Sequence, residues 1–207
     1  MKAQSGIDLL VELVKKADHK TLLMSRMNCH AKNVDSIVLR EDSRGQLNRA
    51  FLAWPGHRLH TNKLDDDLEV GIHDHRYDIW LLLIHGVVAN VTYDRAGGPG
   101  DRLIEWRFRS GVVNGKPERE KIGECRLVET SRTLLTRDSW FWQDKNVLHT
   151  IECSGAAAWF VQEGTTAKDT TTLFTKREFS TDGLYDRFAT RSDVVARVLD
   201  WAKEARR

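Results

Sequence analysis

The change of apolar period along this chain constrains its fold more than any other feature. From Ser36 to Gln162 the apolar residues fall into short alternating runs: Ser36 to Leu39, Ala50 to Trp54, Ile79 to Ile84, Val87 to Tyr93, Leu103 to Phe108, Cys125 to Val128, Trp140 to Trp142, His149 to Cys153 and Ala157 to Gln162. Gly, Asp, Asn or Pro separates them, as expected of strands joined by turns. Many short strands of this kind specify an all-β sandwich or barrel. At the two ends the period becomes helical. Ile7, Leu10, Val11 and Val14 predict an amphipathic helix from Gly6 to Lys16 with Ser5 as its cap. Val194, Val195, Val198, Leu199 and Ala202 form one stripe of a second helix, capped by Ser192 and closing on the basic turn Lys203 to Arg207. The expected organisation is a single domain over 1–207, with a barrel core over about 36–176 and helical extensions over about 6–30 and 192–207.

Charge and cysteine usage narrow the function classes. The 207 residues carry 32 Lys and Arg against 30 Asp and Glu, interleaved throughout, so no basic arm invites nucleic acid. Cys29, Cys125 and Cys153 are odd in number and widely spaced, which argues against a disulfide framework and for the cytoplasm. Asp8 and Glu12 interrupt the first apolar stretch, which therefore lacks the form of a secretory signal. The apolar run Ile79 to Ile84 is far too short to span a bilayer, so no membrane partner is expected. His85-Gly86 marks a tight break between two apolar strands, and Ala96 to Gly100 is an irregular glycine-rich loop. The charged stretch Asn114 to Glu124 reads as a solvated hairpin connection.

The chemistry lies in the histidines. His73 and His75 are two apart, so on an extended strand both imidazoles face one side, within reach of a single ion. His149 lies on a later candidate strand, and a jelly roll can bring it to the same point. Three imidazoles suit Fe(II), Zn(II), Cu(II), Mn(II) or Ni(II) and leave coordination positions open. His57 and His60 lie in a loop-like stretch, and His85 has the opposite parity, so these three read as structural.

These residues resemble the cupins, whose first motif is G-(X)5-H-X-H-(X)3,4-E-(X)6-G. The tract Ile72 to Ile79 carries the two histidines, and Gly86 stands where the closing glycine of the shorter form belongs. Asp144 to His149 resembles the second motif, with Asn146 in place of a turn glycine. The resemblance implies a double-stranded β-helix, that is, a jelly-roll barrel. Ile79 occupies the position of the acidic ligand, so the implied site has three histidines and no carboxylate, like that of the thiol dioxygenases. The Ser-X-His-X-Tyr set of those enzymes is absent between Cys153 and Lys176, and a single sequence does not place their carboxylate-binding arginine. Asp78 adjoins the ligand position, but strand alternation turns it away from His73 and His75.

The expectation is a metal-dependent cupin holding one divalent ion, Fe(II) by preference, on His73, His75 and His149. The preferred activity is a non-haem Fe(II) oxygenase acting on a small molecule that coordinates the metal. Alternatives are a Zn- or Mn-dependent isomerase or hydrolase, or a non-catalytic small-molecule-binding cupin; a homodimer is possible in either case. Tyr77 shares the parity of the two histidines and is the candidate catalytic side chain, orienting substrate or donating a proton. Trp140, Trp142 and Trp159 are read as core residues able to furnish an apolar pocket, and Cys153 as a buried thiol with the parity of His149.

Overall fold

The computed structural model describes residues 5–29, 34–54, 71–113, 116–153, 155–178 and 186–207. In chain order the elements are α1 (Gly6–Lys16), α2 (His19–Leu22), β1 (Arg26–Met27), β2 (Val34–Glu41), β3 (Leu47–Ala53), β4 (Ile72–His73), β5 (Ile79–His85), β6 (Val88–Arg95) and β7 (Asp101–Val113). They continue as β8 (Lys116–Leu135), β9 (Trp140–Gln143), β10 (Leu148–Cys153), β11 (Ala157–Glu163), β12 (Thr170–Thr175), β13 (Asp186–Arg187) and α3 (Arg191–Ala205). Every strand pairing is antiparallel. One sheet runs β13-β1-β2-β3-β11-β5-β9; the other runs β10-β4-β12-β7-β8-β6 and closes where β6 pairs with β10. The chain is therefore all-β, a jelly roll with helical ends. No helix among the described residues is long and apolar enough to cross a membrane.

Alternation along the strands builds two apolar layers. On β3, Phe51 and Ala53 pack between the sheets, while Ala50 and Leu52 face the helices. β11 does the same, with Ala157, Trp159 and Val161 inward and Ala158 outward under the helices. On β5, Ile79, Leu81 and Leu83 are inward and Ile84 meets the helical layer. That layer comprises Ile7, Leu10 and Val14 of α1 with Val194, Val198, Trp201 and Ala202 of α3, all buried. Gly6 is required where α1 crosses β5, because a Cβ there would lie 2.2 Å from the Ile84 carbonyl oxygen. Polar anchors fix α3. The indole Nε1–H of Trp201 donates to the Ala53 carbonyl at 2.8 Å, and Arg197 reaches the fully buried Asp35 at 2.7 Å while lying over the Trp54 ring. His85 meets Trp201 edge-on, so its role here is in packing the helix.

Several expectations are corrected. The cap of α3 is Thr190 rather than Ser192: its hydroxyl accepts from the Asp193 N–H while the Asp193 carboxylate accepts from the Thr190 N–H, a complete capping box. The first extension is helical only to Leu22, and Arg26–Met27 joins the first sheet between β2 and β13. Lys116 to Glu124 is strand, part of the 20-residue β8, with residues 114 and 115 outside the described set. A strand exposed on both faces carries no apolar alternation, which is why it reads as a connection. Strand β12 was missed for a related reason, since its first residues are threonines. Gly86 makes the expected break with φ +79°, but it turns the chain from one sheet to the other rather than closing a hairpin. His57 and His60 lie outside the described residues.

Candidate metal centre

Strand register brings the three histidines together. His73 on β4 is the direct partner of His149 on β10, across an antiparallel pair. β4 ends at His73, and two sets of interactions hold the segment that carries His75. The His75 N–H donates to the Lys145 carbonyl at 3.0 Å. Asp74 is buried, accepting from Lys168 Nζ and from the Thr172 N–H, each at 2.7 Å. The three ring centroids are mutually 4.9 Å apart, a near-equilateral triangle, and one ring nitrogen from each residue lies within 4.8 Å of the others.

Hydrogen bonds fix which nitrogens face inward. His73 Nδ1 lies 3.1 Å from the Gly71 carbonyl oxygen, which can only accept, so the proton sits on Nδ1 and Nε2 keeps its lone pair. His149 is almost fully buried and donates Nδ1–H to the Asn90 carboxamide oxygen at 2.7 Å; Asn90 Nδ2 in turn donates to Gln143 Oε1 at 3.0 Å. Burial also pushes His73 below its ordinary value and keeps it neutral. His75 Nε2 and His149 Nε2 are 2.8 Å apart. Two metal-bound nitrogens at bond lengths of about 2.1 Å and right angles sit about 3 Å apart, so this donor set fits a single divalent ion with three open positions.

The cluster opens on a cavity of about 540 Å³, within the range of small-molecule sites. Phe51 and Trp159, stacked at 5.7 Å, line its apolar side with Ile79 and Leu81. Tyr77 also faces it, with its ring 6.3 Å from that of His75, and its hydroxyl donates to Glu163 Oε1 at 2.6 Å. Burial raises the Tyr77 phenol well above its ordinary value, so it remains a proton donor. Glu163, itself buried, also accepts from Arg49 Nε at 2.6 Å and from the Leu47 N–H. Cys29 lines the cavity as a thiol, its pKa pushed up to about 12 by burial.

Other candidates are placed elsewhere. Asp78 accepts from the Lys145 N–H and is not among the clustered donors. Cys153 is buried between the sheets and does not line the cavity. Trp159 is inside, but Trp140 and Trp142 are 69% and 50% exposed on β9, which corrects their reading as core residues. Arg49, Glu163, Asn90 and Gln143 escaped the sequence reading. Their signal was parity: each lies two residues from an inward apolar or aromatic position, namely Phe51, Val161, Val88 and Phe141.

No protein-family model matches the chain, and no curated protein sequence is significantly similar to it. Among solved structures it is similar to hydroxypropylphosphonic acid epoxidase from S. wedmorenis in complex with fosfomycin, at 12% identity and TM-score 0.36, over 63% of this chain and 51% of that one. It thus spans about half the length of the epoxidase. It is similar to hydroquinone 1,2-dioxygenase from Sphingomonas sp. TTNP3 with 4-hydroxybenzoate bound, at 13% identity and TM-score 0.37, over 63% and 66% of the two chains. It is also similar to a protein of unknown function from Vibrio parahaemolyticus, at 11% identity and TM-score 0.33, over 63% and 86%.

Proposed function

We propose that this protein is a metal-dependent cupin, a non-haem Fe(II) oxygenase that holds one ion on His73, His75 and His149 and acts on a small molecule bound in the adjoining cavity. The observation that carries this reading is the convergence of three imidazoles, two with their outer nitrogens committed to oxygen acceptors, at the wall of a largely apolar cavity. Fe(II) on such a set supplies oxygen activation and an open face for direct coordination of substrate. The chain supplies the rest. Phe51 and Trp159 exclude water and hold an apolar body, and the Tyr77 hydroxyl, kept protonated by burial, orients or protonates the reacting group.

A second reading, an isomerase or hydrolase using Zn(II) or Mn(II), is favoured by one feature, the Tyr77–Glu163 hydrogen bond, which offers a carboxylate and a phenol for proton transfer in the same cavity. Metal analysis of protein prepared without added metal, followed by oxygen uptake against a panel of small thiols and catechol-like acids, separates the two. The oxygenase reading expects Fe(II)-dependent oxygen consumption and loss of turnover under anaerobiosis. Full anaerobic turnover, or activity with Zn(II) alone, transfers the assignment to the second reading.

A further inference from the structure

The seven-stranded sheet ends differently on its two sides. At one end β13 is two residues long and its Asp186 and Arg187 are exposed, the short charged form that discourages further pairing. At the other end β9 reads Trp-Phe-Trp-Gln, with neither a charge nor a proline, and among the described residues no strand lies beyond it. Register decides what that edge presents. The Leu83 N–H donates to the Ser139 carbonyl at 2.9 Å, and Leu81 and Ile79 follow opposite Phe141 and Gln143. Antiparallel alternation therefore turns the backbone groups of Phe141 and Gln143 toward β5, and those of Trp140 and Trp142 outward along the open edge. The same register sets Trp142 beside Trp80 and Trp140 beside Leu82, so all four side chains share the sheet face away from the cavity. Trp140 is 69% exposed, Trp142 50%, Trp80 42% and Leu82 38%. At about 250 Å² for a whole indole side chain, the three tryptophans leave about 400 Å² of apolar surface in water, the size at which such patches mark interaction sites.

We infer that this edge pairs with the same edge of a second copy of the chain, making a two-fold dimer in which the two sheets run on as one. The strand is self-complementary in the register such an axis requires. With the axis through Phe141, Trp140 stands opposite the partner's Trp142, and Trp142 opposite the partner's Trp140. In both pairs the outward N–H and C=O groups meet and close reciprocal backbone hydrogen bonds. A shift of the axis by half a residue would set Trp140 against the partner's Gln143, whose side chain belongs to the buried face. The cross-strand pairs are then indole against indole on one face, which adds to the pairing. Beyond the strand, Arg137 and Asp138 of one copy come beside Asp144 and Lys145 of the other, so each flank brings one acid and one base. Two copies of the indole patch, with Leu82 and the edge backbone, amount to about 1,000 Å², the area at which specific interfaces begin. β9 carries none of the three clustered histidines, so the pairing does not depend on the metal.

Analytical ultracentrifugation of the full chain over about a hundredfold range of concentration measures the association. The wild type should sediment at twice the mass of the single chain at the upper end of that range. Trp140→Ala/Trp142→Ala, which trims the indoles and leaves the backbone, should raise the dissociation constant about tenfold or more. Trp142→Pro removes an outward N–H that the β5 ladder does not use, whereas Trp142→Ala keeps it. The proline variant should therefore associate severalfold more weakly than the alanine variant. An unaltered circular dichroism spectrum identifies the variants that fold. A wild type that stays monomeric throughout gives this face to a partner other than a second copy and overturns the inference, as does an undiminished dimer in the folded double variant. Equal association of folded Trp142→Pro and Trp142→Ala overturns the edge pairing.

Discussion

At the residue scale the account turns on single atoms. Asn90 and Gln143 hold His149 in the form with Nδ1 protonated, leaving Nε2 to the cluster. Losing such an outer partner typically weakens metal affinity about 10–100-fold. Asn90→Leu should therefore bind Co(II) that much more weakly, with unchanged stoichiometry in a saturating titration. Tyr77→Phe removes one hydroxyl and leaves Glu163 paired with Arg49. It should bind metal normally and turn over about 10²-fold more slowly, as loss of an orienting or proton-donating group would produce. An unchanged rate in steady-state assays would assign Tyr77 to packing.

At the element scale the terminal helices belong to the core. Trp201 is fully buried, donates to β3 and meets His85, so Trp201→Ala should cost about 3–5 kcal/mol in chemical denaturation. The helices were legible because their apolar stripes are strong; the bounds of α1 follow directly from Ser5 and the stripe Ile7, Leu10, Val14. Most strands were legible for the same reason, as Ile79, Leu81 and Leu83 alternate with the exposed Trp80 and Leu82. The first part of β8, Lys116 to Glu124, and β12 were not, since neither presents an apolar alternation to read, whereas Cys125 to Val128 of β8 was read as a strand. The convergence of His73, His75 and His149 was legible from spacing and parity. The polar residues behind it were not, because Arg49 and Glu163 look like surface charges until β3 and β11 are paired, which sets Arg49 opposite Val161 and places both side chains on the cavity. Trp140 and Trp142 show the converse, as apolar type alone does not reveal that β9 is an edge strand.

At the scale of the whole molecule, stability and the site are linked through protons. Burial lowers both His73 and His85 in the folded chain, so the unfolded chain binds protons more readily as pH falls through its histidine range. Their contribution to stability is present above about pH 6.5 and is lost as pH falls toward the folded-state values. Melting of the metal-free protein should therefore move to lower temperature between pH 7 and pH 5, with a shallower slope in His85→Gln, as followed by circular dichroism. The most direct measurement of the central claim is a titration of metal-free protein with Fe(II) or Co(II), comparing the wild type with His73→Ala, His75→Ala, His149→Ala and Asp78→Ala. The account predicts one ion per chain in the wild type and Asp78→Ala and loss of most bound ion in each histidine variant. Wild-type stoichiometry and affinity in His149→Ala would contradict it.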